Sequence, residues 1–205
     1  TGVGTVRAGL AAAGYGGDKA IFGYGSYSAA VTSLTNLVSN AGVVATDTTG
    51  VGTARYGLAA TEYGGDKAIF GYGLTASAVT VSNQVSNTGV VGNDVTGVGT
   101  ARYWLAACGY GTDKAIFGNG TTNVINLVSN TGVVATDTTF VGTNRNYLAA
   151  ANYGGDKGIF GYGSASGVAN YSITNLVSNT GVVATDTAGV GTARDGLAAA
   201  GYSLT

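Results

Sequence analysis

Asp18-Lys19-Ala20-Ile21-Phe22-Gly23-Tyr24-Gly25 returns with little change at 66–73, 113–120 and 156–163. Arg7, Arg55, Arg102, Arg145 and Arg194 keep the same register, with spacings of 48, 47, 43 and 49 residues. A period of this size marks an array of like supersecondary units, and among repeat lengths it falls nearest the four-stranded blades of propellers.

Read from the arginine, a unit begins Gly-Thr-Ala-Arg, continues through two variable residues into Leu-Ala-Ala-Ala-x-Tyr-Gly-Gly, and reaches the octet. A loop then leads to Asn-Leu-Val-Ser-Asn-Thr-Gly-Val-Val-Ala-Thr-Asp-Thr-Thr-Gly-Val. Tyr15-Gly16-Gly17-Asp18 and Asn40-Ala41-Gly42 carry turn chemistry, because Gly and Asn tolerate positive φ. The pattern predicts four short strands per unit, near Leu10–Tyr15, Lys19–Tyr24, Thr35–Ser39 and Val43–Thr48. The second strand is apolar on both faces, as in a sheet covered on both sides. With no helical periodicity, the expectation is an all-β protein: a β-propeller of four-stranded antiparallel blades with its first strands innermost. Blades fall at approximately 7–49, 55–96, 102–139 and 145–188, and 189–205 is a surplus partial repeat. A stacked β-solenoid would need a much shorter rung.

Composition agrees with surfaces that face one another. Only 9% of the 205 residues are charged, 45% are hydrophobic and 37 are Gly. No apolar run approaches the roughly 20 residues that span a bilayer, so membrane insertion is not expected. A net charge of -1 without a basic cluster argues against a nucleic-acid partner. Cys108 stands alone in a slot held elsewhere by Ala13, Thr61, Ala151 and Ala200, which reads as a small core residue rather than a reactive thiol. The missing initiator Met suggests a processed chain or a portion of a longer one.

Variation is confined to two places. The loop between the second and third strands spans residues 26–35, 74–82, 121–125 and 164–174, and these lengths alone account for the unequal spacings. The other variable spot follows the arginine, as Ala8-Gly9, Tyr56-Gly57, Tyr103-Trp104, Asn146-Tyr147 and Asp195-Gly196. Up-and-down strand order puts both on one surface, and insertions on one face of a repeat array often mark a binding face.

The order of these elements resembles the kelch-type propeller, as in Arg55…Leu58-Ala59-Ala60 followed by Ala68-Ile69-Phe70-Gly71-Tyr72-Gly73. The resemblance covers the whole chain. The unit also looks like the kelch-like repeats of virion or tail-fibre-type proteins of marine phages. Two departures stand out: the glycine pair is split as Gly-Tyr-Gly, and Leu37-Val38 and Val43-Val44 stand where the family has Tyr and Trp. The resemblance implies a fold and leaves function open, since such propellers host enzymes, adaptors and carbohydrate binders alike.

There is no His, so the usual general base and the commonest metal ligand are lacking. Asp18-Lys19, Asp66-Lys67, Asp113-Lys114 and Asp156-Lys157 read as solvated turns. Asp47, Asp94, Asp137 and Asp186 read as a rim series paired with arginine in preference to calcium, since each unit offers one such carboxylate. Gly2-x-Gly4 is no cofactor motif without a third Gly and a helix. Asn119-Gly-Thr and Asn170-Tyr-Ser fit the glycosylation sequon by chance. No catalytic residue, metal site or cofactor is expected.

The sequence therefore predicts a non-enzymatic structural and recognition module, of virion or tail-fibre type and located on a virion or outside the cell. It would meet a host-surface glycan or protein, or other virion proteins. Tyr56, Tyr103, Trp104, Asn146 and Tyr147 are the candidate contacts, because aromatic faces stack on sugars and amides bond hydroxyls. Arg55, Arg102 and Arg145 join them in an alternative reading, an intracellular adaptor holding an acidic peptide. Thr1–Tyr15 and Ala188–Tyr202 are nearly identical, so the surplus terminal strand also invites homo-oligomerisation.

Overall fold

A computed structural model describes residues 3–165 and 168–201. Residues 166–167 of the fourth variable loop and 202–205 of the partial repeat lie outside it. All regular structure is β, and there is no helix among the described residues, so none that could cross a membrane.

The first unit holds β1 (Ala11–Tyr15), β2 (Lys19–Gly23), β3 (Ser26–Tyr27), β4 (Ala30–Val31) and β5 (Thr35–Val38). The second holds β6 (Ala59–Tyr63), β7 (Lys67–Gly71) and β8 (Ser82–Val85). The third holds β9 (Ala106–Tyr110), β10 (Lys114–Gly118), β11 (Val124–Val128) and β12 (Thr138–Thr139). The fourth holds β13 (Ala149–Tyr153), β14 (Lys157–Gly161), β15 (Ser164–Ala165), β16 (Ala169–Asn170) and β17 (Thr174–Val177). Each unit forms an antiparallel sheet ordered first–second–third strand, with registers such as Ala13↔Ile21 and Ile21↔Leu37 repeated from sheet to sheet.

The expected fourth strand is a full ladder nowhere. In the first unit it is reduced to single pairs, Val38↔Val44 and Thr35↔Thr48, with three residues bulged against two between them. The cause is a side chain. Asn36 Nδ2 donates to the Ala45 carbonyl at 3.1 Å and to Asp47 Oδ1 at 3.0 Å, filling the gap that the bulge opens. Asn83, Asn126 and Asn175 repeat the arrangement. Only the third unit regains a short fourth strand, β12 on β11, because its loop of 121–125 brings those residues together.

Sheets stack face to face in chain order. Three apolar cores lie between consecutive sheets, each drawing on two units; Tyr15, Ile21 and Tyr24, for example, pack with Leu58, Ala68 and Phe70. The repeated contact is aromatic ring on glycine. A Cβ added at Gly23 would lie 2.7 Å from the Phe70 ring, and Gly71 and Gly118 stand the same way to Phe117 and Phe160. These three phenylalanines are fully buried, each contributing roughly 1.5–3 kcal/mol.

One interface is individually fitted. Cys108 packs against Gly158, where a Cβ would lie 2.5 Å from Sγ, and Gly158 stands where the other units carry Ala20, Ala68 and Ala115. The thiol is buried and its pKa is pushed up to about 12 by desolvation, the behaviour of a core residue.

The closed four-bladed ring is not formed. β1 packs beside β6, β6 beside β9 and β9 beside β13, but no comparable packing returns from β13 to β1 among the described residues. Three of these ring-on-glycine steps, joining four units, do not bring the ends together. The first strands instead line an open groove of about 1180 Å³, with Ala12, Thr61, Cys108 and Ala150 on its wall and Ala199–Gly201 at its end.

The rim carboxylates set the response to acid. Asp47 is held below its usual range by the Thr5 hydroxyl first, then by Asn36 and Arg7; Asp18 is lowered by Lys19 first, then by Asn40. A carboxylate with its folded pKa depressed stabilises the fold above its unfolded pKa, and that contribution is lost as pH falls through the folded value. With no His to titrate, we expect a thermal midpoint that is level from about pH 8 to 5 and falls below about pH 4. Calorimetry across that range checks it; a step between pH 5 and 8 would contradict the assignment.

Candidate functional site

The two variable regions lie at one end of the fan of sheets. Ala8 pairs with Ser26, Tyr56 with Leu74 and Asn146 with Ser164, and the Thr121 amide donates to the Tyr103 carbonyl at 3.2 Å. The residue after each arginine is thus stitched to the first residue of the variable loop in its own unit.

The residue two places after the arginine takes a left-handed backbone in every unit: Gly9, Gly57, Trp104, Tyr147 and Gly196 have φ of 62°, 62°, 54°, 53° and 64°. They are hydrogen-bonded in sequence across the sheets. Gly57 N donates to Gly9 O, Trp104 N to Gly57 O, Tyr147 N to Trp104 O and Gly196 N to Tyr147 O, at 2.8–3.0 Å. Glycine adopts this conformation freely, whereas a side chain there costs about 1–2 kcal/mol. Two units therefore place large aromatics where the backbone favours none.

Those aromatics form a row. Trp104 stacks on Tyr147 with centroids 4.7 Å apart and planes 27° apart, and meets Tyr56 edge-on at 5.6 Å and Tyr103 at 6.3 Å. The indole lies over Gly9 and Gly57, where a Cβ would come within 3.2–3.3 Å of it. Tyr147 remains 38% exposed. Asn146 is half-buried and bonded through its backbone to Ser164. The structure thus brings all five aromatic and amide candidates to one end, with three tyrosines gathered around Trp104.

The arginine candidates are corrected. Arg55, Arg102 and Arg145 are fully buried and face the preceding sheet, not solvent. The Arg55 guanidinium sits 4.2 Å from the Tyr24 ring centroid and donates to Tyr72 O (2.7 Å), Thr53 O (2.9 Å) and Asn83 Oδ1 (2.8 Å). Arg102 and Arg194 lie likewise over Tyr72 and Tyr162. Burial lowers the pKa of Arg55, Arg102 and Arg145, but arginine stays charged at any working pH. An acidic peptide could reach these three only by parting the sheets.

The rim series is also reassigned. Asp47, Asp94, Asp137 and Asp186 accept from the amide and hydroxyl of Thr5, Thr53, Thr100 and Thr143, two residues before each arginine. The partner is threonine, with Arg7 reaching Asp47 only at 4.0 Å. In the second unit a relay runs from Arg55 through Asn83 and Asp94 to Thr53, clasping the start of the unit to its end. Asp18, Asp66, Asp113 and Asp156 pair with their adjacent lysines in exposed or half-exposed turns.

Sequence reading passed over the groove. Glu62 and Asn152 occupy a position held by Gly14, Gly109 and Gly201 in the other units. Glu62 fills the space above Gly14, and Asn152 Oδ1 accepts the Gly109 amide at 2.7 Å. Their departure from the repeat was the available signal. No group of three or more His, Cys, Asp or Glu placed to hold a metal ion occurs among the described residues.

The sequence matches no protein-family model, and no curated protein matches it significantly.

Proposed function

We propose that this chain is a non-enzymatic structural and recognition module of kelch type, carried on a virion or tail fibre, whose aromatic row meets a glycan or protein on a host surface. The kelch and phage parts of this reading stand on the residue pattern alone. The observation that carries the binding surface is the aromatic row on the variable end, built by Trp104 and Tyr147 where other units have glycine. Each costs about 1–2 kcal/mol of backbone strain, offset by ring burial and by an aromatic pair worth about 0.5–1.5 kcal/mol beyond it. Tyr24 and Tyr72 adopt the same backbone inside the core, so what sets Trp104 and Tyr147 apart is their place on the variable end, where Tyr147 stays 38% exposed. Strain of this kind concentrates at functional sites, and a flat, partly exposed aromatic row suits the apolar face of a pyranose ring. The buried arginines count against the acidic-peptide reading.

The test substitutes the glycine that other units use. Trp104→Gly and Tyr147→Gly together should keep a cooperative melt, because relief of backbone strain offsets part of the lost ring burial, while binding on a glycan array falls at least about tenfold, the loss of one good contact. Undiminished binding by the double variant to whatever glycan or surface protein the wild type captures would refute the assignment.

A further inference from the structure

We propose that the two open ends of the fan bind each other, so that the first sheet of a second copy of this chain docks on the fourth sheet of the first. Two contacts recur at every internal interface. A tyrosine ending the first strand covers a turn glycine of the next unit: Cβ atoms at Gly89, Gly132 and Gly181 would lie within 3.0 Å of Tyr15, Tyr63 and Tyr110. A phenylalanine of the next unit's second strand covers the glycine ending the present one, as Phe70 covers Gly23.

At the ends, half of each contact is present and, among the described residues, unmatched. The trailing face carries Tyr153, 37% exposed where its three counterparts are buried, and Gly161, whose added Cβ would meet only Thr174. The leading face carries Phe22, 39% exposed where Phe70, Phe117 and Phe160 are fully buried, and Gly42, whose added Cβ would meet nothing within 4 Å. Tyr153 is the missing cover for Gly42, and Phe22 the missing cover for Gly161. Small residues agree as well, since Ala151 would face Ala20 as Ala13 faces Ala68 across the first interface.

Residues 188–201 now occupy part of the trailing face, with Arg194 over Tyr162 and Gly196 N bonded to Tyr147 O. They have no ladder partner, whereas β1 is held by five register pairs to β2. Thr1–Tyr15 matches Ala188–Tyr202 at 12 of 15 positions, so the incoming copy's N-terminal segment can replace them contact for contact. The interface is heterologous: one face meets the other, not itself.

Light scattering on the whole chain tests this with one block at each end. Phe22→Asp spoils the leading face and Gly161→Glu the trailing one; Gly161 has room and no positive φ, so both variants should melt near the wild-type midpoint. The wild type should exceed the 20.0 kDa monomer at tens to hundreds of micromolar, and each variant alone should be monomeric. Mixed one to one, the variants should pair at twice the monomer mass and grow no further, because only one good junction is possible. A monomeric wild type, a variant that still self-associates, or a mixture that stays monomeric would each overturn the proposal.

Discussion

Arg55→Ala should lower unfolding stability by about 3–5 kcal/mol, the range for stripping a buried, fully bonded charge and leaving a cavity. The substitution orphans Thr53 O, Tyr72 O and Asn83 Oδ1 together and removes the cation over Tyr24. Arg55→Lys should recover little, because one ammonium cannot reproduce a planar fork aimed in three directions. Since domains of this size keep only about 5–15 kcal/mol in hand, the urea midpoint should fall steeply. A loss below about 1 kcal/mol would mean the guanidinium is not the keystone of the clasp.

Phe140→Gly should cost about 3–5 kcal/mol, and Asn119→Tyr about 1–3 kcal/mol, yet the two together should return to within about 1 kcal/mol of the wild type. The third unit shows why. Where the others place Tyr24, Tyr72 and Tyr162, it has Asn119; where they place Gly50, Gly97 and Gly189, it has Phe140. Tyr24 and Tyr72 meet Phe70 and Phe117 edge-on at 5.1 and 5.3 Å, and Phe140 meets Phe160 in the same manner at 6.0 Å. One ring has been exchanged for another arriving from a different strand. The short loop of 121–125 permits it, since a Cβ at Gly50, Gly97 or Gly189 would collide with Ser33, Thr80 or Ser172 in the longer loops. Asn119 is left buried with neither amide atom bonded. In the double variant the new tyrosine should underlie Arg145 and reach Val141 O, as Tyr72 reaches Val98 O at 3.2 Å. Urea denaturation of the four proteins measures the coupling; additive losses would show that Phe140 does not stand in for the missing ring.

The repeat made much of this architecture readable. Strand positions, their order within a unit and the sharing of one end by the loops and the post-arginine residues all follow from a period and its turn residues. The fourth strand did not, because Asn36 competes for the Ala45 carbonyl through its side chain, which no backbone periodicity records. Ring closure was equally hidden: a count of units does not fix the rotation between them, which depends on how deeply Phe70 sinks onto Gly23. For the site, variability singled out Trp104 and Tyr147, and the glycines in the same column at 9, 57 and 196 foreshadowed their backbone. Arg55, Arg102 and Arg145 misled through charge, although a residue unchanged in every unit beside variable neighbours fits a structural part better than a selective one.

The Cys108–Gly158 fit bears on how such a chain finds its order. Neighbours this alike offer a nascent sheet several docking partners of nearly equal energy, the condition for kinetic traps and exchanged segments in arrays. On these backbones an alanine at 158 would bring its Cβ to 2.5 Å from the Cys108 thiol, so the third sheet fits the fourth more closely than it would the alanine that any other second strand presents. A single pair of irregular side chains thus acts as an address label, telling otherwise interchangeable units which neighbour is theirs.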